Sequence, residues 1–121
     1  MTDKELLDLA AKAVGLTPAA DSDQEWVDDG QGGVTGPFEW KDAEGGELLY
    51  HWNPLTDDGD ALRLAVKLKI DILQRIAEPR VAAVAAMHSP KIESVPDESQ
   101  RLSVTRTVIV RAAAAIGEQM P

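Results

Sequence analysis

The chain has 121 residues, a mass of 13.0 kDa, a formal net charge of −9 and no cysteine. That length suits one small domain around a single core. The missing cysteine excludes disulfides, thiolate nucleophiles and cysteine-ligated zinc or iron–sulfur sites. Charge is unevenly placed: residues 1–60 hold 15 acids and 3 bases, residues 61–121 hold 6 acids and 9 bases. The split predicts a solubilising acidic surface or attraction to a basic partner, and it argues against an extended nucleic-acid footprint.

The opening MTDKELLDLAAKAVGL carries charge at every turn, unlike a signal peptide with a basic start and continuous apolar core. Thr2 followed by Glu5 matches a capping box, and the apolar spacing predicts a helix over 3–14 with Gly15 as its stop. Residues 17–36, TPAADSDQEWVDDGQGGVTG, are mostly turn formers and acids around Trp26, and predict a flexible acidic loop. The glycines of GQGGVTG lack the lysine and the strand-to-helix setting of a phosphate-binding loop.

PFEWK and ELLYHW, separated by DAEGG, predict two antiparallel strands. Strict alternation would put Leu48, Tyr50 and Trp52 on one face and Leu49 and His51 on the other. After Asp60, the residues Ala61, Leu62, Leu64, Ala65, Val66 and Leu68 leave only a narrow polar stripe of Asp60, Arg63 and Lys67. This predicts a helix buried over a broad face, closed by Lys69. IDILQRI reads as a strand with Ile70, Ile72 and Ile76 on one side; VAAVAAM reads as its partner strand, or alternatively as a short helix. Pro90 and Pro96 bracket KIESV as an exposed turn or edge segment.

From Pro96 to Gln119, a stripe of Leu102, Thr105, Ile109, Ala112, Ala113, Ile116 and Met120 predicts the longest helix. Arg101, Arg106 and Arg111 step round it by about 140° each, giving scattered ion pairs and no basic ridge. Helices alternating with strand pairs predict an α/β (α+β) three-layer α-β-α sandwich with a small, largely antiparallel sheet. A two-layer α+β sandwich is the alternative.

The segment WNPLTDDGD, residues 52–60, gathers the acids Asp57, Asp58 and Asp60, which invites a metal reading. Counted from Asp57, an EF-hand loop would need glycine at position 6 and glutamate at position 12, whereas this sequence has glycine at position 3 and Leu68 at position 12. Magnesium needs only one or two carboxylates and a phosphate, so the three acids stay candidates for metal-assisted phosphotransfer or hydrolysis. The structural reading is helix initiation: Asn53 and Pro54 suit a cap and first position, Thr56 or Asp57 suit a later cap, and the acids favour the positive end of the helix dipole. His51 and His88 lie on different elements, and the serines lack a nucleophile elbow. The aromatic residues Trp26, Trp40, Tyr50 and Trp52 form either core or a protein-contact surface.

WNPLTDDGDALRLAVKL and RLSVTRTVIVRAAAAIGEQM, with KELLDLAAKAVGL at the N-terminal end, resemble the phage ABA sandwich domain group of small bacteriophage and prophage proteins. The resemblance implies an α-β-α sandwich and a phage or prophage origin. It carries no catalytic mechanism: Asn53, Pro54, Asp57, Asp58, Gly59 and Asp60 match a signature without becoming catalytic residues. The combined expectation is a single domain over 1–121, acting in the cytoplasm of a bacterial host as a noncatalytic interaction or structural module. It takes no cofactor and spans no membrane, its partner is a phage or host protein, and homo-oligomerisation is compatible with its apolar stripes. Nucleic-acid binding through Arg63 and Lys67 is a further alternative.

Overall fold

The computed structural model describes residues 1–19, 26–37, 39–43, 46 and 48–121. The elements run α1 (Asp3–Val14), β1 (Leu16–Pro18), β2 (Val27–Asp28), β3 (Val34–Thr35), β4 (Glu39–Asp42), β5 (Leu48–Tyr50), α2 (Asp58–Leu68), β6 (Asp71–Arg75), β7 (Arg80–Val84), β8 (Lys91–Ser94) and α3 (Arg101–Gln119). They build a mixed α/β fold whose sheets are antiparallel: β1-β4-β5, the small β2-β3 hairpin, and β6-β7-β8.

The first helix follows its sequence signals. The Thr2 hydroxyl accepts the Glu5 N–H at 3.2 Å, and Gly15 ends the helix at φ +75°, a conformation that costs glycine little. The described parts of the next segment include short strands. β1 pairs with β4, β2 pairs with β3, and Asp29 Oδ1 accepts the N–H groups of Gln31 and Gly33 to close the turn between β2 and β3. Residues 20–25 of the expected loop, together with Phe38, Glu44, Gly45 and Glu47 of the strand pair and its turn, lie outside the described residues.

β4 and β5 pair as expected, with Trp40 opposite Leu49. The facing pattern differs beyond Tyr50. His51 takes φ +55°, which breaks the pleat, so Tyr50 is exposed while Trp52, two residues on, is buried. Trp26, Trp40 and Trp52 thereby meet in one cluster with ring centroids 5.3–6.3 Å apart, within the range of favourable tilted aromatic packing. Gly36 lies directly under Trp26, where an added Cβ would come within 2.4 Å of the ring.

α2 is buried on a narrower face than its composition predicts. Ala61, Leu64 and Ala65 are buried, but Leu62 and Val66, one turn apart, are 59% and 68% exposed. α3 departs in the opposite direction. A 3-10 turn (Glu98–Gln100) precedes it, and from Val108 to Ala114 only Arg111 stays part-exposed, because α1, α2, β7 and β8 all pack around this one helix. Alanine and glycine permit the close approach. An added Cβ on Gly117 would lie 2.1 Å from the Leu9 carbonyl oxygen of α1.

VAAVAAM begins as a strand, not a helix: residues 81–84 belong to β7, Val81, Ala83 and the following Ala85 are buried, and their small side chains let α3 lie close. KIESV supplies the edge strand β8. The strand from IDILQRI stops at Arg75, leaving Ile76 in the following turn and 85% exposed. Gln74 on the inner face donates to the Thr105 hydroxyl of α3 at 2.9 Å. Leu73 and Ile92 on the outer face are 47% and 51% exposed, so α3 covers one side of this sheet and the other side meets solvent.

Candidate functional site

The segment between β5 and α2 is organised by hydrogen bonds that run inward to the backbone. The Asn53 carboxamide oxygen accepts the Leu55 N–H at 3.0 Å, and its carbonyl accepts the Asp57 N–H at 3.0 Å, so the chain turns tightly over the fully buried Pro54. Asn53 Nδ2 also reaches the Val34 carbonyl, tying the turn to the β2-β3 hairpin. Asp57 is the helix cap, its carboxylate accepting the Asp60 N–H at 2.8 Å.

The three acids then diverge. Asp60 is buried, with one oxygen accepting the Asn53 N–H at 3.0 Å and the other accepting from Arg63 Nη2 at 2.6 Å. Asp58 turns toward α3 and accepts from Arg106 Nη1 at 2.6 Å, while Arg106 Nε donates to the Leu55 carbonyl at 2.8 Å. Asp57 stays beside the helix start, 4.0 Å from Arg63. Gly59 fits between them, where a Cβ would sit 3.2 Å from the Asp57 carboxylate and 3.3 Å from Arg63. Among the described residues, no cluster of three or more histidine, aspartate or glutamate side chains is arranged to hold a metal ion.

The basic residues are distributed in the same way. Arg101 pairs with Glu98, Arg106 with Asp58 and Arg111 with Glu93, so the three arginines of α3 reach three different segments. Arg63 serves the acids of its own helix start, and Lys67 lies 3.5 Å from Asp42. His51 borders a cleft with Trp26, Trp52 and Asn53, whereas His88 borders a separate cleft beside the end of α3. Of the four aromatic residues named as a contact surface, the three tryptophans are buried and only Tyr50 is exposed. The Trp40 indole N–H donates to the Pro37 carbonyl at 3.0 Å; that of Trp26 is buried and has no hydrogen-bond partner among the described residues.

No known family, curated protein or solved structure matches this chain. Among the described residues, no helix is long and apolar enough to cross a membrane.

The surface that sequence reading passed over is the outer face of β6-β7-β8. Leu73, Ala82 and Ile92 stand in register across the three strands and form an apolar row open to solvent. Period-two alternation already separates Asp71, Leu73 and Arg75 from the isoleucines of β6. What sequence alone does not supply is the pairing that aligns Leu73 with Ala82 and Ile92.

Proposed function

We propose that this protein is a noncatalytic interaction or structural module, an accessory protein of phage or prophage type working in the cytoplasm of a bacterial host. The phage setting and the three-layer α-β-α description rest on the resemblance of WNPLTDDGDALRLAVKL and RLSVTRTVIVRAAAAIGEQM to the phage ABA sandwich group. The observation that carries the interaction reading is the Leu73-Ala82-Ile92 row, in which the large side chains of Leu73 and Ile92 flank Ala82 in register and are left exposed. A contiguous apolar patch with a polar rim is the usual mark of a contact surface. The acids of residues 57–60 support the same reading, since each is engaged in holding a backbone turn or an arginine.

The test is affinity capture from a phage-carrying host with the immobilised protein, followed by titration of the captured protein against wild type and a Leu73→Asp/Ile92→Asp variant. Saturable binding that the variant loses supports the reading. If no protein binds saturably, or if the variant binds equally well, this surface has no such role.

A further inference from the structure

We infer that the outer face of β6-β7-β8 is the contact surface of a reversible homodimer, in which two copies stack this sheet face to face about a two-fold axis lying along the Leu73-Ala82-Ile92 row. The inference builds on the interaction reading above and names the partner as a second copy of this chain.

The face is organised in three cross-strand rows. The middle row is Leu73, Ala82 and Ile92; one end row holds Asp71 opposite Val84; the other holds Arg75 opposite Arg80, with Ser94 beyond. The face therefore has an acidic end, an apolar middle and a basic end. Neither Asp71 nor Arg75 has an ion-pair partner among the described residues, while Arg80 is paired with Glu78.

A two-fold rotation about the middle row lays each strand over its own copy in reverse direction. Leu73 then packs on Leu73 and Ile92 on Ile92, with small Ala82 between them. The same rotation brings Asp71 of one copy over Arg75 of the other, and symmetry repeats that pair. The face is thus its own complement in charge at Asp71 and Arg75, as an isologous contact requires. Stacked sheets keep their strands within about 30° of alignment at a spacing of about 10 Å, the geometry this dimer would take.

The size of the face sets the strength. Two strands of five residues and one of four cover roughly 14 by 17 Å at most, well short of the ~800 Å² per partner of a standard stable interface. The dimer is thus dilution-sensitive and fast to exchange.

Sedimentation velocity of the purified protein alone, from micromolar to near-millimolar concentration, tests this. Wild type should shift from monomer toward dimer across that range. Asp71→Arg alone and Arg75→Asp alone should each weaken association by about tenfold or more, since each change sets two like-charge contacts across the interface. The double exchange Asp71→Arg/Arg75→Asp should restore association to near wild type. All four positions altered here or above are exposed, and circular dichroism confirms that each variant is folded. A protein that stays monomeric at the highest concentration, or a double exchange that fails to restore association, overturns the dimer. Host-partner capture that still depends on Leu73 and Ile92 would in that case leave the interaction reading standing without self-association.

Discussion

Asp60 accepts the backbone N–H of Asn53 at 3.0 Å, so the first turn of α2 fixes the turn that leads into it. The same carboxylate holds Arg63 at 2.6 Å while buried, which makes it the central residue of WNPLTDDGD. Replacing Asp60 by Ala leaves a part-buried N–H without its acceptor and a guanidinium without its pair. The expected loss is about 2 to 3 kcal/mol by urea unfolding. Asp57→Ala, which removes only a cap, should cost about 1 kcal/mol. Equal losses for the two variants would remove Asp60 from that central role.

Asp57 and Asp58 are expected to act modestly. Asparagine still caps a helix, and the Asp58–Arg106 pair has a solvent-exposed carboxylate, so a joint Asp57→Asn/Asp58→Asn variant should lose about 1 kcal/mol or less. Calorimetric titration with magnesium and calcium on the same pair of proteins is the check. Unchanged stability together with loss of a specific metal or partner signal would reassign these acids from architecture to binding.

Gly117 sets how closely α3 approaches α1. Its missing Cβ would lie 2.1 Å from the Leu9 carbonyl oxygen, a backbone atom that no rotamer change can move. Helix propensity alone favours Gly117→Ala by about 1 kcal/mol, but overpacking should reverse the sign and give a net loss of about 1 to 3 kcal/mol. Thermal unfolding distinguishes the two, and a stabilised variant would mean the helices separate freely.

Glu98 connects the start of α3 to pH. Its hydrogen bond with Arg101 holds the Glu98 carboxyl below the ordinary value of 4.5. A depressed folded pKa contributes stability that is present above about pH 4.5 and is lost as pH falls through the lowered value. The urea midpoints of wild type and Glu98→Gln should therefore differ at neutral pH and converge on acidification below 4.5. Because Glu98 is exposed the difference is small; a gap that widens in acid would contradict the pairing.

Elements with local signals were legible in the sequence. The Thr2-Glu5 cap, the Gly15 stop, the strand pair around residues 39–50 and the extents of α1 and α2 all follow from contacts within a few residues. What was not legible depends on distant partners. The wheel of α2 cannot reveal that Leu62 and Val66 stay in water, because neighbouring elements decide which part of an apolar surface is covered. The stripe of α3 misjudges its burial for the same reason: Leu102 and Met120 at its ends are exposed, while Val108 and Val110 outside it are buried where four elements surround the helix. At the candidate motif, spacing offered Asn53, Thr56 and Asp57 as caps, and the structure selects Asp57, while Asn53 and Pro54 form the preceding turn; the bond from Asp58 to Arg106 joins residues 48 positions apart.

A pleated strand counts in twos, so inside and outside along it are a matter of parity. The left-handed step at His51 resets that parity between Tyr50 and Trp52, two residues that would otherwise share a side. Whether the third indole joins the other two thus depends on one backbone angle at a residue whose own side chain is exposed. Glycine or asparagine at position 51 accepts that angle readily, whereas a β-branched residue resists it. The tolerance of position 51 to substitution is consequently tied to the packing of the three tryptophans.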